Sequence, residues 1–204
     1  MAADQSHPLR GWKFTPPLRK TIGLPGWVRR EVDFETLRRT DAAKMRLAIG
    51  LAAANVRHGT GGPFGAAVFD GRDHRLLSVG VNAVVPGHCS VSHAEILALI
   101  LAESELKNHR LDLAGGKPGR FVLASSSQPC VMCFGAILWA GVDRLIYGST
   151  KADVEKISGF DEGPLPADWK RECRRRGIRV AGPLLRSEAA GVLKTYADGS
   201  GIVY

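Results

Sequence analysis

Residues 120–147 read RFVLASSSQPCVMCFGAILWAGVDRLIY, and this stretch decides the architecture. Residues 120–125 are a short apolar run of the kind a buried strand needs. Residues 130–140 form a longer apolar stretch that Gly141 stops, the length and the ending of a helix. Residues 142–147 return to a short strand-like run. Toward the N-terminus the alternation continues. Residues 92–106 carry Ile96, Leu97, Leu99, Ile100 and Leu101 on a broad helical face, and residues 64–69 and 76–85 are two strands joined by a turn at Asp70, Gly71, Arg72 and Asp73. Thr40 or Asp41 can cap an Ala-rich helix that runs to Arg57 and stops at Gly59. Toward the C-terminus, residues 151–157, 169–176 and 188–196 read as helices, with 178–180 as a candidate fifth strand. The alternation predicts a three-layer α/β domain with helices on both faces of a sheet.

The chain has 204 residues, 45% hydrophobic and 24% charged, enough for one packed domain and incompatible with a largely disordered chain. No apolar run reaches the ~20 residues of a membrane-spanning helix, and residues 1–10 hold no secretory hydrophobic segment. Cys89, Cys130, Cys133 and Cys173 are too few for a disulfide framework, so a cytoplasmic setting and no membrane partner are expected. Half of the net charge of +8 lies in residues 1–40, where eight basic side chains meet four acidic ones, and a second basic cluster occupies residues 170–176. Such patches bind polyanions, yet a solvated face is the commoner reading, and a nucleic-acid partner is not expected. Residues 1–38, broken by Pro8, Pro16, Pro17 and Pro25 and carrying Trp12, Phe14 and Trp27, read as a basic extension laid over the domain surface or a partner subunit. Residues 39–204 form the domain.

Two local patterns carry chemistry. His93-Ala94-Glu95 opens one predicted helix, and Pro129-Cys130-Val131-Met132-Cys133 opens another. Cys130 and Cys133 stand one helical turn apart, so both sulfurs can meet one ion, and the positive end of a helix favours their thiolates. With His93 they make three zinc ligands, leaving an open fourth position, the layout of a catalytic zinc site. Cys89 is the one nearby candidate for a fourth ligand, which would make the zinc structural. Either pattern alone is weak evidence, since a helix start and a redox pair are common. Together they form the recognised H-x-E…P-C-x-x-C signature of zinc nucleobase deaminases. In that reading zinc brings bound water to hydroxide near neutral pH, and Glu95 shuttles its proton.

From about residue 40 to the end, the sequence resembles the cytidine deaminase superfamily, and within it the bacterial guanine deaminase branch, a subgroup of which also takes ammeline. The resemblance rests on Gly62-Pro63-Phe64-Gly65-Ala66-Ala67-Val68, on Asn82 ahead of His93-Ala94-Glu95-Ile96, and on Pro129 to Ala136 with Trp139. Gly159-Phe160-Asp161-Glu162-Gly163-Pro164 completes it and separates the chain from transfer-RNA adenosine deaminases. It implies a three-layer α/β/α fold with a central mixed sheet of about five strands, one Zn2+ per subunit, and a homodimer whose C-terminal segments are exchanged. By the same resemblance Phe64 and Trp139 stack on or edge a purine, Asn82 bonds its ring atoms and Ala94 offers a backbone N–H. Glu162 acts as a second acid on the amino side, and Tyr204 closes the partner subunit's pocket. Gln128 departs from the pattern, where Glu is usual.

The resulting expectation is hydrolysis of a free nucleobase, guanine to xanthine and ammonia. Zinc-bound hydroxide would attack the amino-bearing ring carbon, with Glu95 and Glu162 as catalytic carboxyls. The alternatives are ammeline, a guanosine-type nucleoside or a pterin as substrate, a transfer-RNA adenosine deaminase, and a non-catalytic zinc module.

Overall fold

A computed structural model describes residues 19–21, 23–114 and 121–204; Trp12, Phe14, the loop of Gly115, Gly116, Pro118 and Gly119, and the Arg120 start of the third strand lie outside them. The elements run α1 (Trp27–Glu31), α2 (Asp41–Arg57), β1 (Gly65–Asp70), β2 (Leu76–Val81), α3 (Val84–Gly87), α4 (Ala94–Glu105), β3 (Phe121–Ser127), α5 (Val131–Ala140), β4 (Arg144–Ser149), α6 (Lys151–Ser158), α7 (Trp169–Arg175), β5 (Arg179–Ala181) and α8 (Arg186–Asp198). Thr40 caps α2 by accepting a hydrogen bond from Ala43 N at 3.1 Å. Gly141, at φ +70°, ends α5 in the left-handed region open to glycine.

The five strands form one mixed sheet in the order β2-β1-β3-β4-β5. β1 is antiparallel to β2 and β3, while β3, β4 and β5 run parallel. Strand side chains alternate between faces, and here both faces are covered. Ala66, Val68, Leu123, Leu145 and Tyr147 pack beneath α4, α5 and α7, whereas Ala67, Phe69, Val122, Ala124 and Ile146 pack beneath α1, α2 and α8. The helices therefore flank the sheet in three layers, and β1, β3 and most of β4 are buried throughout. Among the described residues no helix is long and apolar enough to cross a membrane.

Two local features set the path of the chain from β2 to α4. The second strand, expected over 76–85, ends at Val81. The Asn82 carbonyl oxygen Oδ1 accepts from Val84 N at 3.3 Å, bending the chain out of the sheet, and Val84 and Val85 enter the short helix α3 instead. At Gly80 a Cβ would come within 2.0 Å of the Ala94 carbonyl oxygen, so the bare glycine lets the first turn of α4 rest on the strand backbone.

Candidate active site

The site forms where two helix N-termini meet above the sheet. His93 is the N-cap of α4 and Cys130 the N-cap of α5, both in extended backbone geometry that turns the side chain back over the helix start. Cys133, one turn into α5, donates its backbone N–H to Cys130 Sγ at 3.5 Å. His93 Nδ1 stands 3.5 Å from Cys130 Sγ and 3.6 Å from Cys133 Sγ. A tetrahedral zinc, with Zn–S about 2.3 Å and Zn–N about 2.0 Å, separates its sulfur and nitrogen ligands by about 3.5 Å. The three donor atoms, all within 4.8 Å of one another, match that edge and fit zinc. They are the one cluster of at least three candidate ligand residues among those described. Cys89 is not in it; hydrogen bonds with Ser92 and the Val91 backbone engage its thiol and lower its pKa. The donor set therefore stays at three, the count of a catalytic site.

The electrostatics follow from burial and from these contacts. The Cys130 pKa is brought down to about 4 by hydrogen bonds from Cys133 and then His93. Cys133 is pushed up by the same partnership and by burial. Burial alone would lower the His93 pKa, but the Cys130 hydrogen bond and the Glu95 and Cys130 charges outweigh it and raise the value. Glu95, on the first turn of α4, is 6% exposed, and burial raises its pKa. Ser125 donates to Glu95 Oε1 at 2.9 Å, leaving Oε2 beside Cys133 Sγ at 3.4 Å, on the ligand side. Glu162 is 7% exposed, and burial, with the Cys130 and Glu95 charges, pushes it up to about 8. Its carbonyl oxygen accepts from Val131 N at 3.1 Å, pinning the 159–165 loop to the start of α5.

A cavity of about 240 Å³ opens onto His93 and Cys130, walled by Phe64, Asn82, Glu95, Phe160, Glu162 and Tyr204 among others. Drug-sized ligands take pockets of roughly 300–1,000 Å³, so this one suits a small ring. Phe160 packs edge-on against Phe64 at 5.2 Å and Tyr204 at 5.0 Å between ring centroids, and stacks on Tyr196 at 5.9 Å. Tyr204, hydrogen-bonded to Asn82 and raised in pKa by burial, lies over its own chain's cavity.

The structure thus brings His93, Cys130, Cys133, Glu95, Glu162, Phe64, Asn82 and Tyr204 together, with Ala94 at the first position of α4 between ligand and carboxylate, where a helix N–H has no partner inside the helix. It does not bring Trp139. That side chain is 81% exposed and lines grooves away from the cavity. It stands nine residues beyond Cys130, half a turn around α5 on the opposite side. Sequence reasoning singled out neither Ser125 nor Asn55. The Ser125-Ser126-Ser127 run, three buried hydroxyls at the end of a strand, was the available signal for the first. Asn55 had no signal, being one polar residue inside an amphipathic helix.

A family model described as the cytidine and deoxycytidylate deaminase zinc-binding region matches residues 38–149. The chain is 33% identical to the guanine deaminase of Bacillus subtilis (strain 168) over 134 residues, 66% of this chain and 80% of that protein. It is similar to the solved structure of a guanine deaminase from Nitrosomonas europaea, with a TM-score of 0.83 and 40% identity over 91% of this chain and all 100% of that one. A variant of the protein NE0047 in complex with 8-azaguanine matches with a TM-score of 0.82 and 41% identity, covering 88% of this chain and 98% of that one.

Proposed function

The chain belongs to the cytidine and deoxycytidylate deaminase family of zinc-dependent hydrolytic deaminases, and from that premise we propose that it converts free guanine to xanthine and ammonia. One observation carries the substrate class: a small aromatic-walled cavity in which two buried carboxyls, Glu95 and Glu162, flank the His93–Cys130–Cys133 triangle. The similarity to a protein solved with 8-azaguanine, a guanine analogue, supports the choice of base.

His93, Cys130 and Cys133 would hold the zinc, which when bound supplies an activated water at its open position. Glu95 receives the water proton at Oε2, the oxygen on the ligand side beside Cys133, and delivers it to the ring nitrogen beside the amino-bearing carbon. Glu162 lies on the amino side and exchanges a proton with the departing ammonia, a task suited to a carboxyl whose pKa burial raises. Phe64 edges the purine, Asn82 hydrogen-bonds its ring atoms, the Ala94 N–H bonds a polar atom of the base and Tyr204 excludes water. Trp139 is left out of this subunit's pocket. A cavity of about 240 Å³ with Tyr204 over it disfavours a ribose or a nucleic-acid strand. The domain is assigned to residues 39–204 in a cytoplasmic homodimer; within the single chain the tail sets Tyr204 over its own cavity rather than a partner's, and exchange of the C-terminal segments in the dimer would set it over the partner subunit's pocket.

The test is ammonia release by the zinc-loaded protein on guanine, ammeline, guanosine, cytosine and adenine, with Glu95→Gln as control. Guanine-dependent release that vanishes in the variant is the expected result. Release from a different base alone overturns the substrate, and an active Glu95→Gln protein overturns the mechanism.

A further inference from the structure

The substrate wall is held from behind by a chain of hydrogen bonds that starts in the N-terminal arm. Trp27, 3% exposed in α1, donates its indole Nε1–H to Thr60 Oγ1 at 2.9 Å. Thr60 donates onward to Asn55 Oδ1 at 2.8 Å. Asn55, fully buried in α2, then gives both protons of its amide, to Gly62 O at 2.9 Å and to the Asn82 backbone oxygen at 2.8 Å. The Asn82 side chain closes the loop, its Oδ1 accepting from Gly62 N at 3.4 Å and Val84 N at 3.3 Å. With Oδ1 so occupied, the Asn82 amide presents donors to the cavity and to Tyr204.

The direction of this chain is set by chemistry. An indole N–H can only donate, so the Thr60 hydroxyl must accept there and donate to Asn55. That forces the Asn55 oxygen toward Thr60 and its NH2 toward the two carbonyls. A flipped Asn55 would set an oxygen against two oxygens. The packing leaves no slack, since a Cβ on Gly61 would come within 1.9 Å of the Asn82 carbonyl oxygen. The arm is seated by Trp27 stacked on His58 at 5.2 Å and by Glu31 bridging Arg57 and His58 at 2.6 Å each.

We propose that Trp27, Thr60 and Asn55 are positioning residues through which the N-terminal arm orients Asn82, so that the arm sets affinity for the base, a role that rests on guanine being the substrate. Its test uses Trp27→Phe, which keeps the ring and removes the donor, and Thr60→Val, which keeps the shape and removes the hydroxyl. KM for guanine is expected to rise about threefold to tenfold in each, the scale of one lost hydrogen bond, with kcat within about twofold. Thr60→Ser restores the wild-type KM. Backbone amide exchange measured without substrate, on zinc-loaded protein, gives a second readout. Exchange at Gly62 and Val84 accelerates in Trp27→Phe and Thr60→Val, while Leu123 in β3 stays protected. Unchanged KM together with unchanged exchange at Gly62 and Val84 overturns the proposal, even if the melting temperature falls. If wild-type protein fails to deaminate guanine, the substrate reading has failed, and the exchange measurement alone decides the relay.

Discussion

The two halves of the site are built in opposite ways. The metal half comes from two short segments, each a helix start, whose three ligand atoms lie within 4.8 Å. The recognition half gathers Phe64, Asn82, Phe160, Glu162 and Tyr204 from four distant parts of the chain. The first is rigid because its three ligands ride on two helix starts, His93 and Cys130 at the N-caps and Cys133 one turn into α5. The second depends on long-range contacts, the Asn55 amide and the Phe160 ring stack on Tyr196, and on the local tail bond from Tyr196 Oη to Ile202 O at 2.7 Å. Damage to the first half therefore removes chemistry, and damage to the second weakens binding.

The largest expected effect sharpens this contrast. Stripping the metal with a chelator, or changing Cys130 to Ala, abolishes ammonia release and lowers the melting temperature, because a ligand bound by the folded state alone stabilises it; zinc analysis and a thermal melt check it. Next, Glu95→Gln keeps zinc and fold and lowers kcat about 10²- to 10⁴-fold, the usual worth of a positioned acid–base group. On the recognition side, Tyr204→Phe removes one hydrogen bond to Asn82 and raises KM about fivefold, from a net ~1 kcal/mol, with kcat nearly unchanged. A fall in kcat instead would break the division between the halves.

The smallest effect concerns the support beneath the tail. Arg186 at the start of α8 hydrogen-bonds Asp153 of α6 at 2.7 and 2.8 Å and holds the Asp153 pKa well below its ordinary 3.8. A lowered carboxyl pKa stabilises the fold above pH 3.8, and that contribution is lost as pH falls through the folded value. Wild-type protein should thus show a modest acid-side loss of melting temperature that Asp153→Asn lacks.

The alternation of elements was legible because each carries its own period and stop, as residues 130–140 with Gly141 do. Boundaries shifted where a side chain competed with the backbone. Residues 82–85 have the apolar content of a strand, but the Asn82 carbonyl captures the Val84 N–H and ends β2 early. Trp139 illustrates the other limit. The family resemblance set it against the purine, yet helical geometry sends it to the side of α5 opposite Cys130, where it is 81% exposed.

By itself, the sequence marked the layered α/β architecture, through the period and stop of each element, and the candidate zinc ligands with the carboxylate beside them, through spacings of two or three residues within each of two helix starts. Tertiary structure alone decided that Ser125 orients Glu95, that Asn55 links Trp27 to Asn82, and that Tyr204 lies over its own cavity. Each of these joins residues 27 or more positions apart, Ser125 to Glu95 across 30 and Asn55 to Asn82 across 27. Such pairs have no local signature. They meet because Gly80 lets α4 settle on β2 and Gly61 lets its loop pass against the Asn82 carbonyl, close approaches that only the packed sheet and helices create.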